Sequence, residues 1–195
     1  VMLWASDAGS PTASKESAAH YAERQAYWKR QGLETRCVYF TRDSWHLVYR
    51  APFSRGAVTQ SIDGKPVAPM MGGYPEPDGG NFAFTTAPNL WLEASSDHVV
   101  TMRLTPRAAD LCEMETHWLV RKDAVQGKDY DLERLTLFWR NTGEQDWKLC
   151  EDNQAGVGSA SYRPGPYAPC EESTETFVLW YLDQLQARLA AAQVK

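Results

Sequence analysis

Between residues 82 and 122 the chain repeats one pattern four times. FAFTTAP (82–88), LWLEASS (90–96), HVVTMRLTP (98–106) and DLCEMETHWLVRK (110–122) are rich in β-branched and aromatic residues, and only one to three residues separate each run from the next. Parallel strands need a crossover of about a dozen residues or more, so gaps this short dictate an antiparallel sheet. In the last run Cys112, Met114, Thr116, Trp118 and Val120 fall on one face, and Glu113, Glu115, His117, Leu119 and Arg121 on the other. A sheet with one face on a core and the other wetter produces this alternation.

Upstream, RCVYFT (36–41) and WHLVYRAPF (45–53) read as two further strands, and Asp63-Gly64 as a tight turn into a short strand over 66–70. GGYPEPDGG (72–80) is loop, without the serine, lysine and spacing that cradle a phosphate. A helix is expected over 18–29, where Tyr21, Ala22, Gln25 and Trp28 recur near the helical period, ending at Gly32. The small polar stretch 6–17 reads as a linker, so the expected organisation is a loose segment over 1–17 and one domain over 18–195. Toward the carboxyl end Leu132, Leu135, Phe138 and Trp139 form an apolar stripe capped by Asp131, with a break at Gly143 and a second helix over 144–154. The run 175–192 places Val178, Tyr181, Leu182, Leu185 and Leu189 on one stripe of a long terminal helix, expected to lie across the sheet. The fold class is therefore α+β, an antiparallel sheet of six or seven strands wrapped on a terminal helix, with room for a cavity between them.

Composition narrows the partners. The 195 residues carry 20 Lys and Arg against 25 Asp and Glu, a net charge of −5, which leaves no basic footprint for nucleic acid or an anionic membrane. No apolar run approaches a membrane span and no basic leader opens the chain, so a cytoplasmic protein is expected. Cys37, Cys112, Cys150 and Cys170 form no CxxC or CxH pair and read as ordinary buried thiols; nothing favours any disulfide pairing among them. Eight Trp, nine Tyr and six Phe can fill a core or line an aromatic pocket.

The stretch 138–172, FWRNTGEQDWKLCEDNQAGVGSASYRPGPYAPCEE, carries the most chemistry. On a helix Asp146 shares a face with Leu149, Cys150 and Asn153, while Asp152 points elsewhere. If Leu149 and Cys150 face inward, Asp146 is drawn inward too, and a bound cation would compensate its charge. A cap or dipole role serves equally, and Glu144–Lys148 reads as a surface pair. The spacing FW-x-x-T-x-x-QDW-x-x-CE-x-N-Q-x-G-V, followed by Y-x-PGPY and F-x-x-W-Y, resembles the carboxyl-terminal signature of Rieske-type non-heme iron oxygenase large subunits. The likeness is to the branch holding choline, carnitine and glycine-betaine oxygenases beside aromatic-ring hydroxylases. YRAPF, GAVTQSIDGKPVAP, DHVVTMRLTP and HWLVRKDAVQGKDYD agree, so that it runs over about 45–185.

The resemblance implies a helix-grip (START-like) catalytic domain and an enzyme performing O₂-dependent hydroxylation or oxidative N-demethylation of a small aromatic or quaternary-ammonium substrate. It implies a mononuclear Fe(II) held by two histidines and a carboxylate, that carboxylate falling on Asp146 with Asp152 as runner-up. Trp147, Asn153 and Gln154 become pocket or supporting residues, or else packing anchors, and YRPGPY (162–167) a stiff loop near the pocket mouth or a connector. A 2Fe-2S cluster, NAD(P)H acting through a partner reductase, with or without a ferredoxin, and a homotrimer complete the implied system. The family's cluster motif and its paired iron histidines have no counterpart among His20, His46, His98 and His117. The chain thus matches a catalytic domain shortened at its amino end and is expected to be inactive alone; a non-catalytic binding module derived from the fold is the alternative.

Overall fold

The computed structural model describes residues 15–193 apart from 55 and 75, and the expected linker residues 6–14 lie outside them. Helix α1 (Lys15–Arg30) is followed by strands β1 (His46–Ala51), β2 (Asn81–Thr86), β3 (Leu90–Ala94), β4 (Val99–Ala108) and β5 (Leu111–Leu119), then by helix α2 (Leu132–Val157), a 3-10 turn (Pro169–Glu171) and helix α3 (Glu172–Gln193). The strands pair in chain order, each antiparallel to the next. The α+β class, the antiparallel sheet and the long terminal helix are those the sequence leads one to expect.

Four local expectations need correcting. The 36–41 run makes no strand: it meets β1 only through reciprocal backbone bonds between Val38 and Val48, because the chain turns back over Thr41–Ser44. The 66–70 segment is not a strand either. Pro66 and Pro69 carry no N–H, and the Val67 N–H goes to the Asp97 carboxylate at 2.8 Å rather than to a ladder. The sheet accordingly has five strands, not six or seven. Helix α1 starts at Lys15, three residues before the expected 18.

The fourth correction concerns Gly143, which does not break the helix; α2 runs unbroken through 144–154. A methyl group at Gly143 would stand 2.8 Å from the Trp147 indole one turn on, so the glycine accommodates that ring instead of ending the element. Asp131 caps α2 as expected, its side chain accepting the Arg134 N–H at 2.8 Å. Gly32 ends α1 with φ 72°, a left-handed turn that glycine adopts without a Cβ clash.

Pairing fixes what each face of the sheet presents. Tyr49, Ala83, Glu93, Val100 and Trp118 stand directly opposite one another across all five strands, and Leu47, Thr85, Trp91, Met102 and Thr116 form the next row on the same face. Val48, Phe84, Leu92, Thr101 and His117 belong to the other face.

The loop 72–80 holds α1. Trp28 is fully buried and its indole N–H donates to the Asp78 carbonyl at 3.2 Å, while Arg24 reaches the Asp78 carboxylate at 2.7 Å. Gly80 sits beneath this contact with φ 68°, and a Cβ there would lie 2.4 Å from the Trp28 ring and 2.8 Å from the Ala51 carbonyl. Gly80→Ala is therefore expected to lose about 2–4 kcal/mol of stability, from the positive φ and from overpacking together. Urea denaturation read by tryptophan fluorescence checks this, with Gly73→Ala, where nothing lies within 4 Å, as the tolerated control.

Helix α3 meets the sheet at one end. Arg42 before β1 forms a bidentate ion pair with Asp183, at 2.7 and 2.9 Å. The stripe Tyr181, Leu182, Leu185 and Leu189 remains 41–55% exposed, so it is not the buried seam expected of a helix lying across the sheet. A cleft of about 640 Å³ opens there between Arg42, Trp45, Pro88, Trp180, Tyr181 and Arg188.

Candidate active site

Helix α2 is set over the sheet face that carries Glu93. Leu135, Thr136 and Phe138 are buried and anchor its first half. Trp139 donates its indole N–H to Gln60 Oε1 at 3.3 Å; Gln60 Nε2 donates to Asn81 Oδ1 at 3.1 Å; Asn81 Nδ2 donates to Glu93 Oε2 at 2.8 Å. Each amide in this relay turns its donor toward the next acceptor, so the chain of dipoles ends on the carboxylate. Further along α2 the Trp147 indole N–H lies 3.1 Å from Met114 Sδ on β5. Asn81, Glu93 and Met114 share one face, which Trp147 meets directly and Trp139 reaches through Gln60.

Glu93 is 8% exposed. Burial pushes its carboxyl up to about 7, against the lowering effect of the Asn81 and Gln60 side chains. Burial also raises the Tyr49 phenol, and the nearby Glu93 charge raises it further. Trp118 Nε1, in the same row, is buried without a hydrogen-bond partner among the described residues.

A second polar knot closes the upper end of this face. Asp97, His98 and Thr59 are each no more than 1% exposed. The Thr59 hydroxyl donates to Asp97 Oδ1, His98 Nδ1 lies 3.0 Å from the same oxygen, and Asp97 Oδ2 accepts the Val67 N–H. Burial would raise the Asp97 carboxyl, but the His98, Thr59 and Val67 donors outweigh it and hold the group below the ordinary aspartate value. The knot ties the long connection between β1 and β2 to the turn before β4.

The residues singled out in the sequence lie on the second half of α2, and all are exposed: Asp146, Trp147, Asn153 and Gln154, with Asp152 beside them. Leu149 is 69% exposed and Cys150 is exposed, so the inward face that was to draw Asp146 into a core does not form. Cys112 is exposed as well, contrary to the expectation of buried thiols. Lys148 pairs with Asp152 one turn on, not with Glu144. The Asp146 side chain makes no hydrogen bond or ion pair among the described residues, whereas that of Asp152 is committed to Lys148.

The histidines are apart and occupied differently. His20 bonds the Phe53 carbonyl at 3.1 Å, His117 lies 2.9 Å from Glu115, and His98 is held by Asp97. Among the described residues no group of three His, Cys, Asp or Glu side chains stands close enough to hold a metal ion. The donor set of this chain alone therefore does not fit a mononuclear iron site; it offers carboxylates without a histidine pair. No helix among the described residues is long and apolar enough to cross a membrane.

Sequence reasoning passed over Glu93, Tyr49 and Trp118. The signal was present in LWLEA, where the alternation that turns Trp91 toward a shared face turns Glu93 the same way.

Comparison with known proteins places residues 12–187 in the family described as ring hydroxylating alpha subunit (catalytic domain). The chain is 35% identical to the glycine betaine monooxygenase oxygenase subunit of Chromohalobacter salexigens over 187 residues, covering 95% of this chain and 42% of that protein. It is 36% identical over 140 residues to the subunit of the same description in two strains of Pseudomonas aeruginosa, covering 71% of this chain and 33% of each. The chain thus spans less than half the length of these relatives.

Proposed function

The chain belongs to the ring-hydroxylating oxygenase alpha-subunit family, and from that premise we propose that it forms the substrate-enclosing part of an oxygenase that removes an N-methyl group from a quaternary ammonium compound of the glycine betaine kind. The observation that carries this reading is the 35% identity to a glycine betaine monooxygenase oxygenase subunit across 95% of the chain. Residues 18–195 are then the catalytic-domain portion. Its own residues contribute the sheet face of Tyr49, Trp91, Glu93 and Trp118, which α2 meets through the Trp147–Met114 contact.

In the complete product Asp146 would contribute a carboxylate to a mononuclear iron(II), which would supply the oxygen chemistry; a 2Fe-2S cluster fed from NAD(P)H by a partner reductase would supply electrons, within a homotrimer. Trp147 fixes the rotation of α2 that presents Asp146, and Asn153 and Gln154 lie two turns on. The overall change would balance as substrate, O₂, two electrons and two protons giving an N-hydroxymethyl ammonium compound and water, after which the carbinol would release formaldehyde, the demethylated amine and a proton.

Ring hydroxylation is the second reading, favoured by the family description itself and by the aromatic side chains of that sheet face. The product of the complete reading frame that contains this chain separates the two. With reductase, NAD(P)H and glycine betaine it is expected to release formaldehyde in proportion to NAD(P)H consumed. Betaine left untouched, with a simple arene oxidised instead, would favour ring hydroxylation. Neither substrate stimulating O₂ uptake would leave a cavity-forming module without catalysis.

A further inference from the structure

We propose that Glu93 is a positioning residue for helix α2: as a carboxylate it ends the amide relay that anchors Trp139, and on protonation it loosens that anchor. The inference concerns how the first half of α2 is held to the sheet, and it stands whichever substrate the complete protein takes. Asp146 lies two turns further along the same helix.

The polarity of the relay follows from one group. The Trp139 indole N–H can only donate, so Gln60 must turn its carbonyl oxygen to it and its amide nitrogen to Asn81. Asn81 must then accept through Oδ1 and donate through Nδ2, and the last position, Glu93 Oε2, has to be an acceptor. A carboxylate meets that demand with a charge-assisted bond, about twice as strong as a neutral one. A carboxyl protonated on Oε2 sets donor against donor, and one protonated on the other oxygen leaves only a neutral acceptor. The Asn81 and Gln60 donors accordingly favour the ionised group, against its burial. By linkage the preference is mutual, and ionisation tightens the relay that favours it. Gln60 and Asn81 are no more than 1% exposed, so water does not blunt the difference.

The surroundings leave the charge to be set by the proton. Among the described residues no Lys, Arg or His is hydrogen-bonded or ion-paired to Glu93. From β1, Tyr49 faces it as a phenol pushed up by burial and by Glu93 itself, while Arg50 belongs to the opposite sheet face and donates to the Glu34 and Gly79 carbonyls. Asn81 and Ala83 on β2, Val100 on β4, Trp118 on β5 and the buried α2 residues Leu135, Thr136 and Phe138 carry no charge. At the turn before β4, Asp97 and His98 are engaged with each other and with Thr59. Burial holds the Glu93 carboxyl at about 7, so the anchor changes strength around neutral pH.

Two effects of opposite sign separate this role from mere burial. The folded carboxyl titrates at about 7 against about 4.3 unfolded, so folding favours the proton between those values; global stability falls as pH rises through that window and levels off above it. The α2 anchor does the reverse and tightens as Glu93 ionises. The experiment follows amide hydrogen exchange of α2 by mass spectrometry in the product of the complete reading frame at pH 6 and 8, with exchange times scaled for the intrinsic base-catalysed rate. Urea midpoints are measured beside it from pH 5.5 to 8. Amides of α2 around Trp139 are expected to exchange several-fold more slowly at pH 8 than at pH 6. Glu93→Gln, which keeps an acceptor for Asn81, should remove this difference and lessen the fall in stability. Trp139→Phe, which keeps a ring but removes the donor that sets the polarity, should remove the α2 difference and leave the fall in stability. Should the Gln variant fail to fold, the parent and Trp139→Phe still decide. Equal or faster α2 exchange at pH 8 in the parent, or a difference that survives in either variant, overturns the proposal.

Discussion

Asp97→Ala is expected to lower the unfolding free energy by about 3–5 kcal/mol, because it removes a buried carboxylate that three donors share. The carboxylate serves three buried donors: the Thr59 hydroxyl, His98 Nδ1 and the Val67 N–H. Its loss strands all of them where Thr59 and His98 are no more than 1% exposed and Val67 is 6% exposed, and each stranded donor costs about 1–3 kcal/mol. Water entering the vacated space would restore part of this, which keeps the total below the simple sum. Asp97→Asn, which keeps one acceptor oxygen, should fall between parent and alanine. The sign of the pH effect follows from the direction of the shift. The Asp97 carboxyl is held below its ordinary value in the folded protein, so its stabilisation is present above the unfolded value near 4 and is lost as pH falls through the folded one. The parent should therefore lose this increment in acid and Asp97→Ala should not. Urea midpoints between pH 3 and 7 measure both; a loss under about 1 kcal/mol at pH 7 would contradict the assignment.

The sheet was legible because its evidence is local. Four alternating runs joined by one to three residues admit only antiparallel neighbours, and each became a strand within a few residues of its expected ends. The expected strands that failed did so for reasons spread over the molecule. Val67 turns its N–H to a carboxylate thirty residues away, and the 36–41 run meets β1 at Val38 alone. Gly143 was misread because a glycine in a polar stretch signals a helix end equally well whether or not an indole lies over it; only the fold shows the Trp147 ring there. The site was half visible. A motif marks Asp146 and its neighbours on α2, whereas the Tyr49–Glu93–Trp118 row depends on the register of five strands, which alternation alone does not align. The exposure of Leu149 and Cys150 shows the limit of helical-wheel reasoning: sharing a face with an apolar residue buries an acid only if that face meets something.

If α2 carries the iron carboxylate, as proposed, its two candidate acids are separable by experiment. A metal ligand has to be ionised and free to turn its lone pairs to the ion. Asp146 stands one residue before Trp147, whose contact with Met114 sets the rotation of the helix, and the Asp146 side chain has no partner among the described residues. Asp152 lies more than a turn further on and is already paired with Lys148. Exposed pairs of that kind are worth at most about 1 kcal/mol, so the pairing alone would not bar Asp152; position relative to Trp147 favours Asp146. Loss of a residue that merely supports a ligand costs metal affinity about 10–100-fold, and loss of the ligand itself should exceed the upper end of that range. The most direct measurement is the iron content of the complete reading-frame product, purified in parallel as parent, Asp146→Ala and Asp152→Ala, with thermal melts to confirm folding. The account predicts about one mononuclear iron per protomer in the parent and in Asp152→Ala, and almost none in Asp146→Ala. Full iron in a folded Asp146→Ala, or its loss only in Asp152→Ala, would contradict it.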